Sequence, residues 1–148
     1  MTKDVIVSIS GLQFGNDMEN DKIEIITSGN YYKKNNKHYV LYEEITEGFE
    51  GVTKNIVKFD ERVFNLTKSG ITNVNMVFEK DKRSITNYIT PYGNILVGID
   101  ANKIDVRESN EKIQINIDYA LDVNYEHLAD CKIHMDITAK NEGAFSLH

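Results

Sequence analysis

The stretch Ile-Gln-Ile-Asn-Ile-Asp-Tyr-Ala-Leu-Asp-Val at residues 113–123 decides the fold class, because apolar and mostly polar side chains alternate along it. A β-strand points successive side chains to opposite faces, so this alternation places six apolar residues on one face. A helix would scatter the same isoleucines around its axis. A second alternating run covers residues 133–139, and we predict that the two runs pair as a hairpin through a connection over residues 124–130.

Shorter alternating runs along the rest of the chain predict about ten strands in total. Asn35-Asn36 predicts a tight hairpin turn, since asparagine tolerates positive φ. No segment reads as a helix of normal length, and no linker divides the sequence, so we expect one domain over residues 1–148. The strand count predicts an all-β fold, either a barrel or a sandwich. Long strands and the need to cover exposed sheet edges favour a single antiparallel β-barrel of about eight to ten strands, but the residues alone leave the two alternatives nearly even.

Composition and charge restrict the cellular compartment and the partners that we expect for the chain. Its 148 residues carry a formal net charge of −6 and one cysteine, Cys131. A surplus of acidic residues disfavours nonspecific nucleic-acid binding, which depends on basic surface. One cysteine allows no internal disulfide, which suits a reducing compartment, and no apolar run is long enough for a signal peptide or a membrane helix. We therefore predict a cytoplasmic protein with neither a nucleic-acid nor a membrane partner.

Motifs for metal, nucleophilic or phosphate chemistry are missing from the sequence. Zinc needs three or four converging ligands, whereas Cys131 and His134 point to opposite faces of one strand, and His127 falls in the predicted connection. There is no Gly-x-Ser-x-Gly elbow and no glycine-rich loop ahead of a helix. The sequence therefore predicts no metal, no cofactor and no catalytic residue.

Side chains that join an apolar body to a polar tip are the candidates for contacting a ligand inside the barrel. These residues are Tyr39, Tyr42, Glu43, Tyr92 and Tyr119. The tyrosines also suit ordinary packing in a sheet. Glu43 would have a raised pKa if it faced the interior in one row with Tyr39 and Leu41. The alternative, which we favour, places Glu43 on the outside, paired with a lysine such as Lys54 or Lys58.

Several segments together resemble a known family. They are Ser8-Ile9-Ser10-Gly11, residues 39–44, Met76-Val77-Phe78, Thr90-Pro91-Tyr92-Gly93 and residues 113–121. In that order and at those spacings they resemble the YwiB-like proteins, small bacterial proteins, mainly from Firmicutes, that carry a domain of unknown function. The resemblance implies a calycin-like β-barrel, related in shape to lipocalins, and no established activity. It also implies an arginine before the glycine of the mid-chain turn. This chain has Lys68 there, which would replace an anion-binding arginine only as a point charge.

Three functional hypotheses follow. The first is non-enzymatic binding of a small, apolar or mixed-polarity molecule in the barrel cavity. The second is an enzyme that uses Glu43 or a tyrosine for acid–base chemistry in the same cavity. The third is an interaction module with a packed barrel, whose outer surface or homodimer face binds a partner. A filled interior favours the third hypothesis, a cavity with a buried carboxylate the second, and an apolar cavity with a few hydroxyls the first.

Overall fold

A computed structural model of the chain describes residues 3–11, 24–45, 48, 50–71, 73–91 and 93–140. These residues form ten antiparallel strands and no helix, so no described helix is long and apolar enough to span a membrane. The strands are β1 (Lys3–Ser10), β2 (Glu24–Lys34), β3 (Lys37–Glu44), β4 (Thr53–Phe59), β5 (Val63–Ser69), β6 (Val74–Glu79), β7 (Arg83–Thr90), β8 (Gly93–Glu108), β9 (Lys112–Val123) and β10 (Glu126–Ala139).

The strands form one sheet in the order β6-β5-β4-β3-β2-β1-β10-β9-β8-β7. Two main-chain hydrogen bonds between Asn73 and Ile89, of 2.8 and 3.0 Å, join the β6 side to the β7 side. The sheet is thus a nearly closed antiparallel barrel, and the predicted fold class is confirmed. An open sheet edge can pair with another chain, and here the two edges of the sheet meet at this bridge.

The hairpin turns are set by residues that accept left-handed backbone angles. Asn35 and Asn36 have φ of 54° and 65°, which confirms the predicted tight turn between β2 and β3. The prediction of a connection over residues 124–130 is wrong. Asn124 and Tyr125 alone make the turn between β9 and β10, with φ of 50° and 71°. Strand β10 starts directly afterwards, and most of its first side chains are exposed, so their sequence lacks a clear alternation.

Strands β3 to β6 send three successive rows of side chains into the barrel, because their registers align across all four strands. The aromatic row consists of His38, Phe59, Phe64 and Phe78. The aliphatic row consists of Val40, Val57, Leu66 and Met76. The polar row consists of Tyr42, Asn55, Lys68 and, at its end, Val74. Every member of the three rows is buried.

The aromatic row crosses the barrel interior. His38 stacks on Phe59 with ring centroids 4.7 Å apart, and at the other end Phe78 meets Tyr119 of β9 edge-on at 5.0 Å. Edge-on and stacked rings stabilise a core beyond the area that they bury. On β9, five of the six apolar residues in the stretch 113–123 are at most 1% exposed. The barrel is therefore packed at the level of this row.

Candidate functional site

A cleft opens where the β2–β3 ladder ends. The two strands pair from Lys34–Lys37 up to Gly29–Tyr42, and the earlier residues of β2 continue only beside β1. A Cβ atom on Gly29 would lie 2.7 Å from the carbonyl oxygen of Leu41, so glycine permits this close approach. Beyond it lies a cleft of about 790 Å³ with a mixed polar and apolar lining.

The polar row lies beside this cleft and contains a buried ammonium group. Lys68 is only 7% exposed, and its Nζ contacts Oε1 of Glu44, which points inward at the end of β3. The same Oε1 accepts a hydrogen bond of 3.2 Å from Nδ2 of Asn55. Burial of an isolated charge would cost several kcal/mol. The Glu44 carboxylate therefore compensates the positive charge of Lys68.

Two oxygen atoms of the polar row have no hydrogen-bond partner among the described residues: the hydroxyl of Tyr42 and Oδ1 of Asn55. Tyr42 is 4% exposed and Asn55 is 1% exposed, and both line the cleft. The Asn55 amide orientation is fixed because its Nδ2 faces two acceptors, Glu44 Oε1 and the carbonyl oxygen of Thr53. A buried polar atom without a partner costs about 1–3 kcal/mol, so this pair requires an explanation.

Unpartnered atoms of this kind are scarce in the described part of the chain. The other two side-chain oxygens without a partner belong to Asn65 and Asp136, and neither residue lines the cleft. Two of the four unpartnered oxygens thus belong to residues that border one cleft, which distinguishes this cleft from the rest of the described structure.

Burial fixes the protonation of the tyrosines in this region. Burial and, to a smaller extent, the Glu44 carboxylate raise the pKa of Tyr42. The same two causes raise the pKa of Tyr88 to about 12. Both phenols therefore keep their protons at neutral pH, and the Tyr42 hydroxyl is available as a hydrogen-bond donor.

The opposite end of β3 carries a second buried polar group, which is fully bonded. The Tyr31 hydroxyl lies 2.7 Å from Nδ1 of His38, and Nε2 of His38 lies 3.4 Å from Oε1 of Glu108. Burial, reinforced by Glu108, raises the pKa of Tyr31 to about 12, so its hydroxyl donates to Nδ1 and the ring proton sits on Nε2. Burial lowers the pKa of His38 although Glu108 opposes the shift, so the ring is neutral at neutral pH.

The structure distributes the predicted site residues over different environments. Tyr42 borders the cleft along β3, and its side chain is buried in the barrel interior. Glu43 lines it from outside: its side chain is exposed, as in the outward orientation that we favoured, and it lies opposite Lys54 in register. Tyr39 also faces outward, stacked on Tyr32 at 4.7 Å.

The remaining two candidates lie away from the cleft or cannot be placed. Tyr119 is in the core, and its hydroxyl donates to the carbonyl oxygen of Gly11 at 3.1 Å. Tyr92 lies outside the described residues.

Of the three polar residues Glu44, Asn55 and Lys68, sequence reasoning named only Lys68, as the replacement for an anion-binding arginine. Strand parity gives a usable signal for two of them. Asn55 has the same parity as Val57 and Phe59 along β4, and Lys68 the same parity as Leu66 along β5. A polar residue that has the same parity as the buried apolar residues of its strand is thus predicted to point inward.

Within the described ranges, no group of three or more His, Cys, Asp and Glu side chains is placed to hold a metal ion.

Comparison with known proteins identifies the family. A family model described as a domain of unknown function (DUF1934) matches residues 7–135, so the chain belongs to that family. The chain is 32% identical over 119 residues to the uncharacterized β-barrel protein YwiB of Bacillus subtilis (strain 168), covering 79% of this chain and 82% of that protein. The predicted resemblance to the YwiB-like proteins is confirmed.

A solved structure shares the architecture. The crystal structure of the ywiB protein from Bacillus subtilis superposes with a TM-score of 0.75 at 24% sequence identity, covering 95% of this chain and 94% of that one. At this identity the likeness shows the fold alone.

Proposed function

We propose that this member of the DUF1934 family is a non-enzymatic binding protein that holds a small molecule of mixed polarity in the cleft between β2 and β3. The observation that carries the proposal is the pair of buried, unpartnered oxygens on Tyr42 and Asn55, two residues whose strands border the cleft. The lining of the cleft is partly polar and partly apolar, which supports a ligand of mixed polarity.

The proposed location is the barrel wall, because the aromatic row fills the centre. Neither unpartnered oxygen is exposed to solvent, so the ligand reaches them by widening the separation of β2 and β3. That widening breaks no β2–β3 backbone pair beyond Gly29–Tyr42, because the ladder has already ended there.

Binding is better supported than catalysis at this site. Glu44 is the inward carboxylate of the polar row, and both Lys68 and Asn55 engage its Oε1 atom. A general acid or base needs hydrogen-bond access to the reacting group and a pKa near the working pH. Because Lys68 and Asn55 already occupy this oxygen, Glu44 suits a structural role beside the polar row.

The proposal is tested by native mass spectrometry of the full chain purified from its own host. We expect a retained small molecule in the wild type and in Tyr39→Phe, whose changed hydroxyl lies outside the cleft, and less of it in Tyr42→Phe. Absence of a retained molecule, together with no thermal shift across a panel of metabolites and lipids, contradicts the proposal.

A second candidate, an interaction module that includes a homodimer, is supported by exposed aliphatic side chains on the outer face of the sheet. Ile6, Ile26 and Ile56 are 41%, 65% and 44% exposed on β1, β2 and β4. Sedimentation velocity over a concentration series tests it. We expect Ile26→Asp to abolish self-association, whereas Ile85→Asp, on the distant strand β7, leaves it unchanged. A wild type that stays monomeric at every concentration contradicts the homodimer.

We also propose that the protein is cytoplasmic and that its barrel is related to the calycins. The single cysteine, Cys131, supports the reducing compartment, and the antiparallel barrel supports the relationship.

A further inference from the structure

Strand β2 has a hydrogen-bonded neighbour on only one side over its first residues. It pairs with β1 over the range Glu24–Tyr31, whereas its pairing with β3 ends at Gly29–Tyr42. The two-residue turn makes Lys34–Lys37 a hydrogen-bonded pair, so every second residue before Lys34 directs its main-chain N–H and C=O groups toward β3. Ile26 belongs to this series, and among the described residues β3 offers it no pair. The barrel wall thus contains an unpaired sheet edge at Ile26.

This edge runs into the outer cleft. Ser28, the next residue of the same series, lines one wall of the cleft, and Ile45, Val52 and Ile56 line the facing wall. Ile26 is 65% exposed and Ile45 is 80% exposed. All five side chains belong to the exposed surface, so this site is separate from the polar row inside the barrel.

An unpaired strand edge is complementary to the main chain of another extended polypeptide. Strand addition supplies main-chain hydrogen bonds, and every second side chain of the added strand contacts the receiving surface. A strand that already belongs to a sheet would bring its own neighbour about 4.8 Å away, into the wall that β3 forms. The occupant that fits is therefore a single extended segment, and not the edge strand of a second folded barrel.

The charges in the lining of the cleft balance. Asp4 and Glu43 stand against Lys54 and Lys140, although the whole chain carries a formal net charge of −6. Lys54 lies opposite Glu43 in register, and Nζ of Lys140 donates to Oγ of Ser28 at 2.8 Å. A charged side chain in the cleft would lose hydration without meeting a surplus of opposite charge, which is costly. The complementary segment is therefore uncharged where it lies in the cleft.

We propose that the β2 edge at the cleft binds an extended, uncharged segment of a partner polypeptide, which pairs with Ile26 as an added strand and packs against Ile45 and Ile56. Covering these exposed isoleucines removes apolar surface from water, which favours aliphatic residues in the segment. The inference rests on the second candidate function, the interaction module, and names the class of its partner.

The test is fluorescence anisotropy with the full-length protein and a capped, fluorescein-labelled heptapeptide that alternates threonine and valine. Two control peptides carry N-methyl groups on the valines or on the threonines, so that each lacks the N–H donors along one of its two edges. We expect the parent peptide to bind, and the control that is methylated on the edge facing β2 to bind about tenfold more weakly. A peptide with glutamate or lysine at the central position should also bind about tenfold more weakly.

A matched pair of variants tests the pairing edge itself. Ile26→Pro removes the main-chain N–H that faces the cleft, whereas Ile26→Thr changes the side chain and keeps that donor. Because Ile26 directs neither main-chain group toward β1, both variants should fold, and thermal unfolding without peptide checks this. Ile26→Pro should bind the parent peptide about fivefold more weakly than Ile26→Thr does, through loss of one hydrogen bond.

Variants on the facing wall give an independent test if Ile26→Pro does not fold. Ile45 follows the last residue of β3 and is exposed, so Ile45→Asp removes no strand pairing. It should weaken binding of the parent peptide at least about tenfold, because it places a charge against the aliphatic side chains. Ile85→Asp, an equivalent change on the distant strand β7, should leave the affinity unchanged.

The outcomes separate this inference from the function on which it rests. Absence of peptide binding overturns the inference, and so does equal binding of the parent, N-methylated and charged peptides. Self-association in sedimentation velocity without peptide binding overturns the inference and leaves the interaction module standing. If the chain neither self-associates nor binds the peptide, the second candidate function fails as well.

Discussion

The two ends of strand β3 bury polar groups in opposite ways. At one end His38 has a partner on each ring nitrogen, the Tyr31 hydroxyl at 2.7 Å and the Glu108 carboxylate at 3.4 Å. At the other end the Tyr42 hydroxyl and Oδ1 of Asn55 have no partner among the described residues. Both ends belong to one barrel and lie on one strand, so the difference is local.

This difference teaches how to tell a stabilising polar group from a functional one. A buried group with its partners stabilises the fold, and its removal leaves the partner unsatisfied. A buried polar group without partners lowers the free energy of unfolding, so a protein that retains such a group gains a function from it. Removal of the partnered hydroxyl at one end should therefore lower the free energy of unfolding, whereas removal of the unpartnered hydroxyl at the other end should leave it unchanged or raise it.

The largest effect is expected in the aromatic row, which defines the packed end. Phe78 is fully buried and contacts both Phe64 and Tyr119. Phe78→Ala should lower the free energy of unfolding by about 4 kcal/mol, since it removes a buried ring and leaves a cavity. Urea denaturation measures this loss, and Phe78→Leu should lose less than half as much. A loss below about 1 kcal/mol for Phe78→Ala would mean that the barrel is not packed at this level.

At the polar end, the ion pair is expected to give the next largest effect. Lys68→Met leaves Glu44 without its counter-charge and should cost about 2 kcal/mol. This figure lies below the value for a fully buried pair, because Glu44 keeps 21% of its side-chain exposure. The double variant Lys68→Met, Glu44→Gln should recover more than half of the loss in the same denaturation experiment. A double variant no more stable than Lys68→Met would show that the charge on Glu44 is not the cause.

The bonded end should also respond to pH. Burial lowers the pKa of His38 below its unfolded value of about 6.5. The unfolded chain then binds a proton that the native state resists, so the contribution of His38 is full above pH of about 6.5 and is lost as the pH falls toward the native pKa. Denaturation between pH of about 5 and 7.5 should show a steeper decline for the wild type than for His38→Gln. Parallel curves would contradict the assignment of a neutral, buried imidazole.

The sequence predicts the packed part of the molecule well, because every second side chain of a strand points to the same face and is therefore buried or exposed together. Residues 113–123 form strand β9 as expected, with Ile113, Ile115 and Ile117 in the core. Asn35-Asn36 makes the tight turn because both residues accept positive φ. In both cases a local property of the chain determines the local structure.

The candidate site was harder to predict because β3 is apolar on both faces. Tyr39 and Leu41 point outward, and Tyr39 is stabilised there by stacking on Tyr32, so apolar character did not identify the inward row. The choice between Glu43 and Glu44 depended on that row. The polar row also joins residues from four strands, whose register is a property of the whole sheet.

The smallest effect is the sharpest test of the comparison between the two ends. Tyr42→Phe removes a buried hydroxyl that has no partner, so it should leave the free energy of unfolding unchanged or raise it by up to about 1 kcal/mol. Tyr31→Phe removes the same atom from the bonded end and should lower it by about 1–2 kcal/mol, because Nδ1 of His38 loses its donor. The two substitutions are chemically identical, so changes in rotamer entropy and ring packing largely cancel between them. Equal losses in both variants would mean that the Tyr42 hydroxyl is bonded in the native state, which would remove the reason to expect a ligand there.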